Sequence, residues 1–160
     1  MSDKKQNWQV GDIFLVELID GKFVLGQIVG REAFVLNSVS CAFFDFRVSG
    51  AIDVDSARIL PTNKIFSVLF VTRDLLDSGK WKIVGSCPVS VSKELLPYED
   101  LREKHFVGAS VRGAGIVKKF LDAFYGLRPW DDWHDPNYLD KLLLSPSKKP
   151  SSLVYKKNQS

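Results

Sequence analysis

The first half of the chain alternates between short runs of apolar, often β-branched residues and turn residues. Two such runs, Ile13–Leu18 and Lys22–Val29, flank Asp20-Gly21, a pair that favours a two-residue hairpin turn. Gly26 lies inside the second run, where a glycine predicts a bulge or a bend. Ile65–Thr72 is the most apolar run, so we expect it to be the most buried strand. Further strands are expected at Ala33–Leu36, Cys41–Val48 and Trp81–Val84. This spacing predicts a small twisted antiparallel sheet or a partly closed barrel.

A different periodicity marks the segment Gly115–Tyr125. Apolar residues recur there every three or four positions, which places them on one face of a helix. The members of that face are Ile116, Val117, Phe120, Leu121 and Phe124. Lys118, Lys119 and Asp122 are expected on the outer face, and Gly126 is expected to end the helix.

Two shorter helices are predicted from their capping residues. Thr72 is the expected N-cap of a helix over residues 73–77 that ends at Gly79. Asp135-Pro136 is the expected start of a last helix that runs to Leu143. The predicted fold class is therefore α+β, with short helices, two of them C-terminal.

Length and composition fit one domain with a real core. The chain has 160 residues, of which 45% are hydrophobic and 26% charged. It has no apolar run of the roughly 18–20 residues that a membrane span needs, and its start does not resemble a signal peptide. We therefore expect a cytoplasmic protein with no membrane partner, in which Cys41 and Cys87 are reduced thiols.

The basic net charge is concentrated at the end of the chain. The formal net charge is +3, and residues 145–160 contribute +4 through Lys148, Lys149, Lys156 and Lys157. Residues 1–144 therefore carry +3 − 4 = −1. We predict a single domain over residues 8–144, followed by a disordered Lys/Ser/Pro-rich tail over residues 145–160. A nearly neutral domain without a basic groove argues against nucleic acid as its partner.

Residues with catalytic or metal-binding chemistry are few. Asp131, Asp132, His134 and Asp135 lie within one short stretch whose oxygens could hold a hard cation. The simpler interpretation is that Asp135 caps the next helix and the other side chains face water. Cys87 and His105 could form a reactive pair only if folding brings them together, and a packed, inert thiol is the more common case. We therefore assign no catalytic residue, no metal site and no cofactor.

Several stretches together resemble the bacterial immunity protein 26 family. They are Val10–Phe14, Asp20–Phe23 and Gly26–Ile28 in the opening hairpin, Phe70–Gly85 around the short helix, and Gly126–Trp133 with the helix to Leu144. No single motif is specific, and the likeness lies in their order and spacing. It covers about two-thirds of the chain and is weakest between Pro88 and Gly113.

The resemblance implies an immunity protein, which binds the toxic domain of a polymorphic or contact-dependent bacterial toxin and blocks it. Acidic surfaces speed association with basic partners, and aromatic residues often anchor protein contacts. The candidate toxin-binding residues are accordingly Asp131, Asp132, Asp135, Asp140, Trp130 and Trp133, with Glu99, Asp100 and Glu103 as further acids. The partner expected is a basic, nuclease-type toxin domain. The sequence does not define the oligomeric state.

The resemblance also leaves one alternative open. The family label is attached to a small organophosphate triesterase, so phosphotriester hydrolysis is the second hypothesis. Two histidines, His105 and His134, are few for the two-metal chemistry that such hydrolysis usually employs.

Overall fold

A computed structural model describes residues 5–32, 37–49, 62–89 and 111–156 of the chain. The predicted strand at Ala33–Leu36, together with Glu99, Asp100, Glu103 and His105, lies outside these residues. The strands are β1 (Asp12–Glu17), β2 (Phe23–Glu32), β3 (Ser38–Val48), β4 (Ile65–Val71), β5 (Ile83–Ser86) and β6 (Val111–Arg112). The helices are α1 (Asp74–Ser78) and α2 (Ala114–Phe124), and short 3₁₀ turns lie at Thr62–Lys64, Leu139–Leu142 and Pro146–Lys148.

The six strands form one sheet in the order β5-β1-β2-β3-β4-β6. The pairs up to β4 are antiparallel, and β6 runs parallel to β4. The predicted α+β class is confirmed. The sheet is mixed and stays open, so of the two predicted arrangements it is the sheet, not the barrel, that forms. None of the helices in the described residues is long and apolar enough to cross a membrane.

The hairpin between β1 and β2 forms where it is predicted, but its loop is one residue longer. Gly21 N–H donates to the Leu18 carbonyl oxygen at 3.0 Å, and Leu18 N–H donates to the Lys22 carbonyl oxygen at 2.7 Å. Gly21 has φ +85°, whereas Asp20 has no positive φ. A two-residue type I′ turn needs positive φ at both central residues, so the chain adopts the three-residue loop that ends in a left-handed glycine.

The prediction of a bulge at Gly26 is confirmed, and the glycine has a packing reason. The β2–β3 register shifts between Val24 and Gly26. Gly26 lies opposite Phe14 on β1, and a Cβ atom built on Gly26 would overlap the Phe14 ring. The ring therefore lies across the strand in the space that a side chain at position 26 would otherwise fill.

Both faces of the sheet are buried, which is why β1 and β4 read as continuous apolar runs. On one face, Phe14 and Phe43 join a core that includes α2, and Phe66 stacks on Phe124 with ring centroids 3.9 Å apart. On the other face, a second cluster contains Ile13, Leu15, Leu25, Ala42, Phe44, Val48, Ile65 and Val68. All seven residues of β4 are buried, as predicted for this strand.

The helix predicted at Gly115–Tyr125 is confirmed as α2, but the prediction for Asp122 is wrong. This side chain is only 1% exposed, because one carboxylate oxygen accepts the Ile19 backbone N–H at 2.9 Å. Its other oxygen lies 3.8 Å from Lys118 Nζ. Asp122 therefore ties α2 to the β1–β2 hairpin and is not part of the solvated face of the helix.

Two features next to α1 differ from the prediction. The Thr72 hydroxyl donates to the Asp74 carboxylate at 2.6 Å, and the N-cap position belongs to Arg73, which makes no side-chain cap. Gly79, with φ +85°, ends the helix as predicted. Strand β5 begins two residues later than predicted, because Trp81 leaves the strand and enters the core.

The predicted last helix is replaced by short 3₁₀ turns. Asp135 accepts the Asn137 backbone N–H at 2.9 Å, so the expected capping contact exists. Regular helix does not follow, because the few residues before Leu144 are too short a segment to sustain one and bury Leu139 and Leu142 three positions apart instead. Residues 145–156, predicted as a disordered tail, lie against the domain, with Val154 in a parallel bridge with Pro129.

Candidate functional site

Four carboxylates form a surface between the end of α2 and the end of the described chain. We call Asp131, Asp132, Asp135 and Asp140 the acidic surface. After α2, Gly126 adopts φ +75° and its N–H donates to the Ala123 carbonyl oxygen at 3.0 Å, which reverses the chain. The stretch that follows carries the four predicted acids, and three of them, Asp131, Asp132 and Asp140, contact lysines of the last described residues.

Every acid of this surface contacts a lysine residue. Lys141 Nζ lies 2.9 Å from Asp135, Lys149 Nζ 3.0 Å from Asp140, and Lys156 Nζ 3.1 Å from Asp132. The backbone N–H of Lys156 donates to Asp131 at 2.6 Å. Three of the four carboxylates are thus paired with a lysine ammonium group, and two of these lysines lie in the segment predicted as a tail.

These contacts shift two pKa values in the direction that favours the ion pairs. The hydrogen bond from Lys141, followed by that from the Asn137 N–H, lowers the pKa of Asp135. The hydrogen bond to Asp140 raises the pKa of Lys149. Both groups are exposed to solvent, so each interaction is weak on its own.

The two tryptophans of the predicted site lie in different environments. Trp130 is 1% exposed, packs against Phe120 in the core, and donates its indole N–H to Asp140 at 2.7 Å. Trp130 therefore positions Asp140 and has no surface to offer a partner. Trp133 is half-buried and stacks on Tyr138, with ring centroids 4.8 Å apart. It lines a small hollow of about 270 Å³ together with Lys119, Arg128, Pro129 and Asp132.

The described residues bring no three His, Cys, Asp or Glu side chains close enough to hold a metal ion. His134 is exposed and Asp135 is paired with Lys141. Cys87 is partly exposed, and its sulfur accepts a hydrogen bond from Gln27 at 3.3 Å. Cys41 is fully buried, and desolvation raises the pKa of its thiol, which disfavours the reactive thiolate.

A second concave surface was not predicted from the sequence. A groove of about 400 Å³, which we call the Trp81 groove, lies between β1, the end of α1 and the start of α2. Its lining residues are Val16, Glu17, Leu75, Lys80, Trp81, Ala114, Gly115 and Lys118. Trp81 is 4% exposed and stacks on Phe14, with ring centroids 5.1 Å apart and an interplanar angle of 8°.

The sequence contains only a weak signal for this groove. The adjacent pair Lys80-Trp81 follows the glycine that ends α1, and Lys118 is on the outer face of α2. In the sequence, Lys80 looks like an ordinary surface lysine, Trp81 like a core aromatic residue and Lys118 like an exposed lysine of a helix. They become one surface only because α2 packs beside β1, where Lys118 Nζ donates to the Glu17 carbonyl oxygen at 2.8 Å.

Comparison with known proteins defines the class of this fold. The model of one family, described as immunity protein 26, matches residues 9–105, which is more than half of the chain. The α+β sheet with its opening hairpin is thus that of an immunity protein. The chain belongs to the immunity protein 26 family. A comparison with curated proteins gives no match, and neither does a comparison with solved structures.

The family match covers most of the Trp81 groove but not the acidic surface. The match includes β1 to β5, and therefore Val16, Leu75 and Trp81 of the groove. It ends before α2 and does not reach the acidic surface. The resemblance at Gly126–Trp133, expected from the sequence, thus lies beyond the matched residues.

Proposed function

We propose that this protein binds the toxic domain of a polymorphic or contact-dependent bacterial toxin and neutralises it in the cytoplasm of the cell that it protects. The observation that supports the proposal is the family match over residues 9–105, because it assigns the sheet to a family of immunity proteins. Neutralisation takes place by steric occlusion, in which the immunity protein covers the toxin surface that substrate must reach.

The acidic surface is the proposed contact with a basic toxin. Its side chains stay accessible although they are paired, since Asp132, Asp135 and Asp140 keep 54%, 43% and 37% of their side-chain area exposed. Exposed pairs of this kind exchange partners at little cost in free energy. A complementary charge on the toxin increases the association rate and disfavours partners of the wrong charge.

The Trp81 groove is the second proposed contact. It offers apolar side chains next to Lys80 and Lys118, and five of its eight lining residues belong to the range that matches the family. Trp81 is only 4% exposed and forms the buried wall of the groove, so the accessible apolar contact comes from Leu75 and Ala114, which are half-buried. The acidic surface would then add contacts that belong to this chain outside the matched range.

Phosphotriester hydrolysis remains the alternative from the sequence. No contact among the described residues favours it over toxin binding.

Co-expression with the toxin domain encoded next to this gene tests the proposal. We expect the full chain to restore growth of cells that produce the toxin domain and to co-purify with it. The double variant Asp132→Asn/Asp140→Asn should weaken neutralisation, whereas Asp20→Asn/Asp74→Asn, with the same change in net charge, should leave it unchanged. If every neighbouring toxin domain stays lethal and none co-purifies, the proposal is wrong.

A further inference from the structure

Residues 146–156, which we call the C-terminal strap, lie across the acidic surface. The strap begins after Leu144, whose N–H donates to the Phe66 carbonyl oxygen on β4 at 2.8 Å. It then passes Asp140 and reaches Pro129 and Trp130. There, Val154 bridges Pro129 in parallel, and the Trp130 backbone N–H donates to the Val154 carbonyl oxygen at 2.7 Å.

The strap places two separated lysines against the acidic surface, although it is a 3₁₀ turn followed by a second turn and is not an extended chain. Lys149 and Lys156 pair with Asp140 and Asp132, and the chain between them brings Leu153 and Tyr155 against the core. Lys149 Nζ also lies 5.8 Å from the Tyr155 ring and 6.0 Å from the Trp130 ring. The segment that now contacts the surface therefore indicates what the surface accepts: separated lysines with apolar residues between them.

The polar contacts between the strap and the acidic surface are ones that a cationic competitor can replace, whereas Leu153 and Tyr155 also hold the strap by packing against the core. Both lysine pairs are solvent-exposed, and such pairs contribute little to stability and weaken with salt. The parallel bridge is a single isolated pair and does not belong to the sheet. Segments that are joined to a domain by few backbone hydrogen bonds can open locally without unfolding the domain.

We propose that the C-terminal strap is a displaceable occupant of the acidic surface, which a lysine- or arginine-rich segment of the toxin replaces on binding. This inference rests on the proposed function. Since the surface binds a partner only while the strap is released, the strap lowers the apparent affinity for every cationic segment by the fraction of open molecules. Because this factor is the same for every cationic segment, the ratio of their affinities does not change; the strap instead keeps a weakly basic protein, whose affinity is already low, from occupying the surface, whereas a toxin with a matching segment still binds.

The test on the free protein compares two variants of equal net charge. Lys149→Gln/Lys156→Gln removes both strap lysines, and Lys22→Gln/Lys82→Gln removes two exposed lysines elsewhere. The probe is fluorescently labelled octalysine, whose affinity is measured at low salt by anisotropy. We expect the strap variant to bind octalysine about tenfold more tightly than the wild type, and the control to change by less than about twofold. Adding Leu153→Ser to the strap variant should increase the affinity further.

Hydrogen exchange of the Trp130 amide reports the strap directly, because its acceptor is the Val154 carbonyl oxygen. We expect this amide to exchange faster in the strap variant than in the wild type and the control. The proposal is wrong if this amide exchanges at the same rate in all three proteins, or if both variants gain the same affinity for octalysine. Neither measurement involves a toxin. If these two measurements fail and the protein still neutralises the toxin, only the displacement of the strap is refuted. If the toxin stays lethal in the presence of every variant, the proposed function is refuted.

Discussion

The Trp81 groove and the acidic surface differ in what covers them. The groove is open, has apolar side chains from β1 and α1, and lies largely within the residues that match the family. The acidic surface lies beyond the match and is covered in part by lysines of the same chain. Residues 127–156 contain five Lys and Arg residues and four Asp residues, so the formal charge of this stretch is +1. A cluster of acids in the sequence is therefore not the same as an available negative charge.

Each surface lies over one buried tryptophan, and the two are held differently. Trp81 stacks on Phe14 and meets Phe43 edge to face. Trp130 packs on Phe120 and also donates a hydrogen bond to Asp140 of the acidic surface. The Trp81 ring is thus positioned by packing on other rings, while its backbone donates to the Leu75 carbonyl oxygen and accepts a hydrogen bond from Gln6. The Trp130 ring is held by packing and by the hydrogen bond of its own indole N–H.

The largest effects are expected from truncating these two rings. Trp81→Ala and Trp130→Ala should each lower the free energy of unfolding by about 3–5 kcal/mol, since each leaves a cavity in the main core. Denaturation in urea measures the loss. Trp133→Ala is the control for Trp130→Ala, because Trp133 is half-buried and should cost less.

The conservative changes Trp81→Phe and Trp130→Phe sharpen the same comparison. Trp130→Phe also removes the hydrogen bond to Asp140 and should weaken the Asp140–Lys149 contact. The hydrogen exchange of the backbone amide of residue 130, which donates to the Val154 carbonyl oxygen, can detect this change. Trp81→Phe should not change that exchange rate. If it does, the two surfaces are coupled and their separate description is wrong.

A smaller effect is expected from adding one methyl group beneath the groove. Gly26→Ala places a Cβ atom against the Phe14 ring, on which Trp81 stacks, and overpacking of this kind costs about 1–3 kcal/mol. Gly85→Ala is the matched control, since a Cβ atom at Gly85 meets no atom within 4 Å. Urea denaturation measures the stability of both variants. Equal stability of the two variants would mean that the Phe14 ring can move freely.

The smallest effect is the pH dependence of the acidic surface. The folded pKa of Asp135 is lowered below its ordinary value of 3.8. Its contribution to stability is thus complete above that value and is lost as the pH falls through the lowered pKa. For Lys149 the folded pKa is raised above 10.5, so its contribution is complete below 10.5 and is lost as the pH rises through the raised pKa.

Carboxyl-carbon NMR titration of Asp135 measures the first of these shifts. Replacing its partner in Lys141→Ala should move the pKa of Asp135 upward, towards 3.8, because the hydrogen bond from Lys141 is the largest cause of the shift. Lys82→Ala is the control and should leave the titration unchanged. An unaltered pKa in Lys141→Ala would show that the ion pair does not persist in solution.

The elements that the sequence predicts well are those encoded by neighbouring residues. Helix α2 follows from its 3.6-residue period, and β4 from its uninterrupted apolar run. Some predictions failed for local reasons, such as the length of the hairpin loop and the last helix, and others failed where a distant group supplied the partner. Asp122 is read as a surface residue because its partner, the Ile19 N–H, is 103 positions away. The same holds for the groove, which unites β1, α1 and α2.

For the acidic surface, the sequence predicted the position of the acids but not their partners. The sequence correctly indicates where the carboxylates are concentrated, and whether they contact a toxin stays a prediction. A count along the sequence gives a charge of −1 for residues 1–144 and +4 for residues 145–160, and it treats the two parts as independent. The structure brings Lys156 next to Asp131 and Asp132, about 25 positions earlier, and so joins the charges that the count separates.

By itself, the sequence determined the α+β class, the opening hairpin, helix α2 and the likeness to immunity protein 26, because these depend on local periodicity, turn residues and the order of short motifs. Only the tertiary structure decided which charges are paired, which tryptophan is buried and where a groove opens. The physical reason is that ion pairs, cavities and burial depend on groups far apart in the chain, whose distances are fixed only after the sheet and α2 have packed.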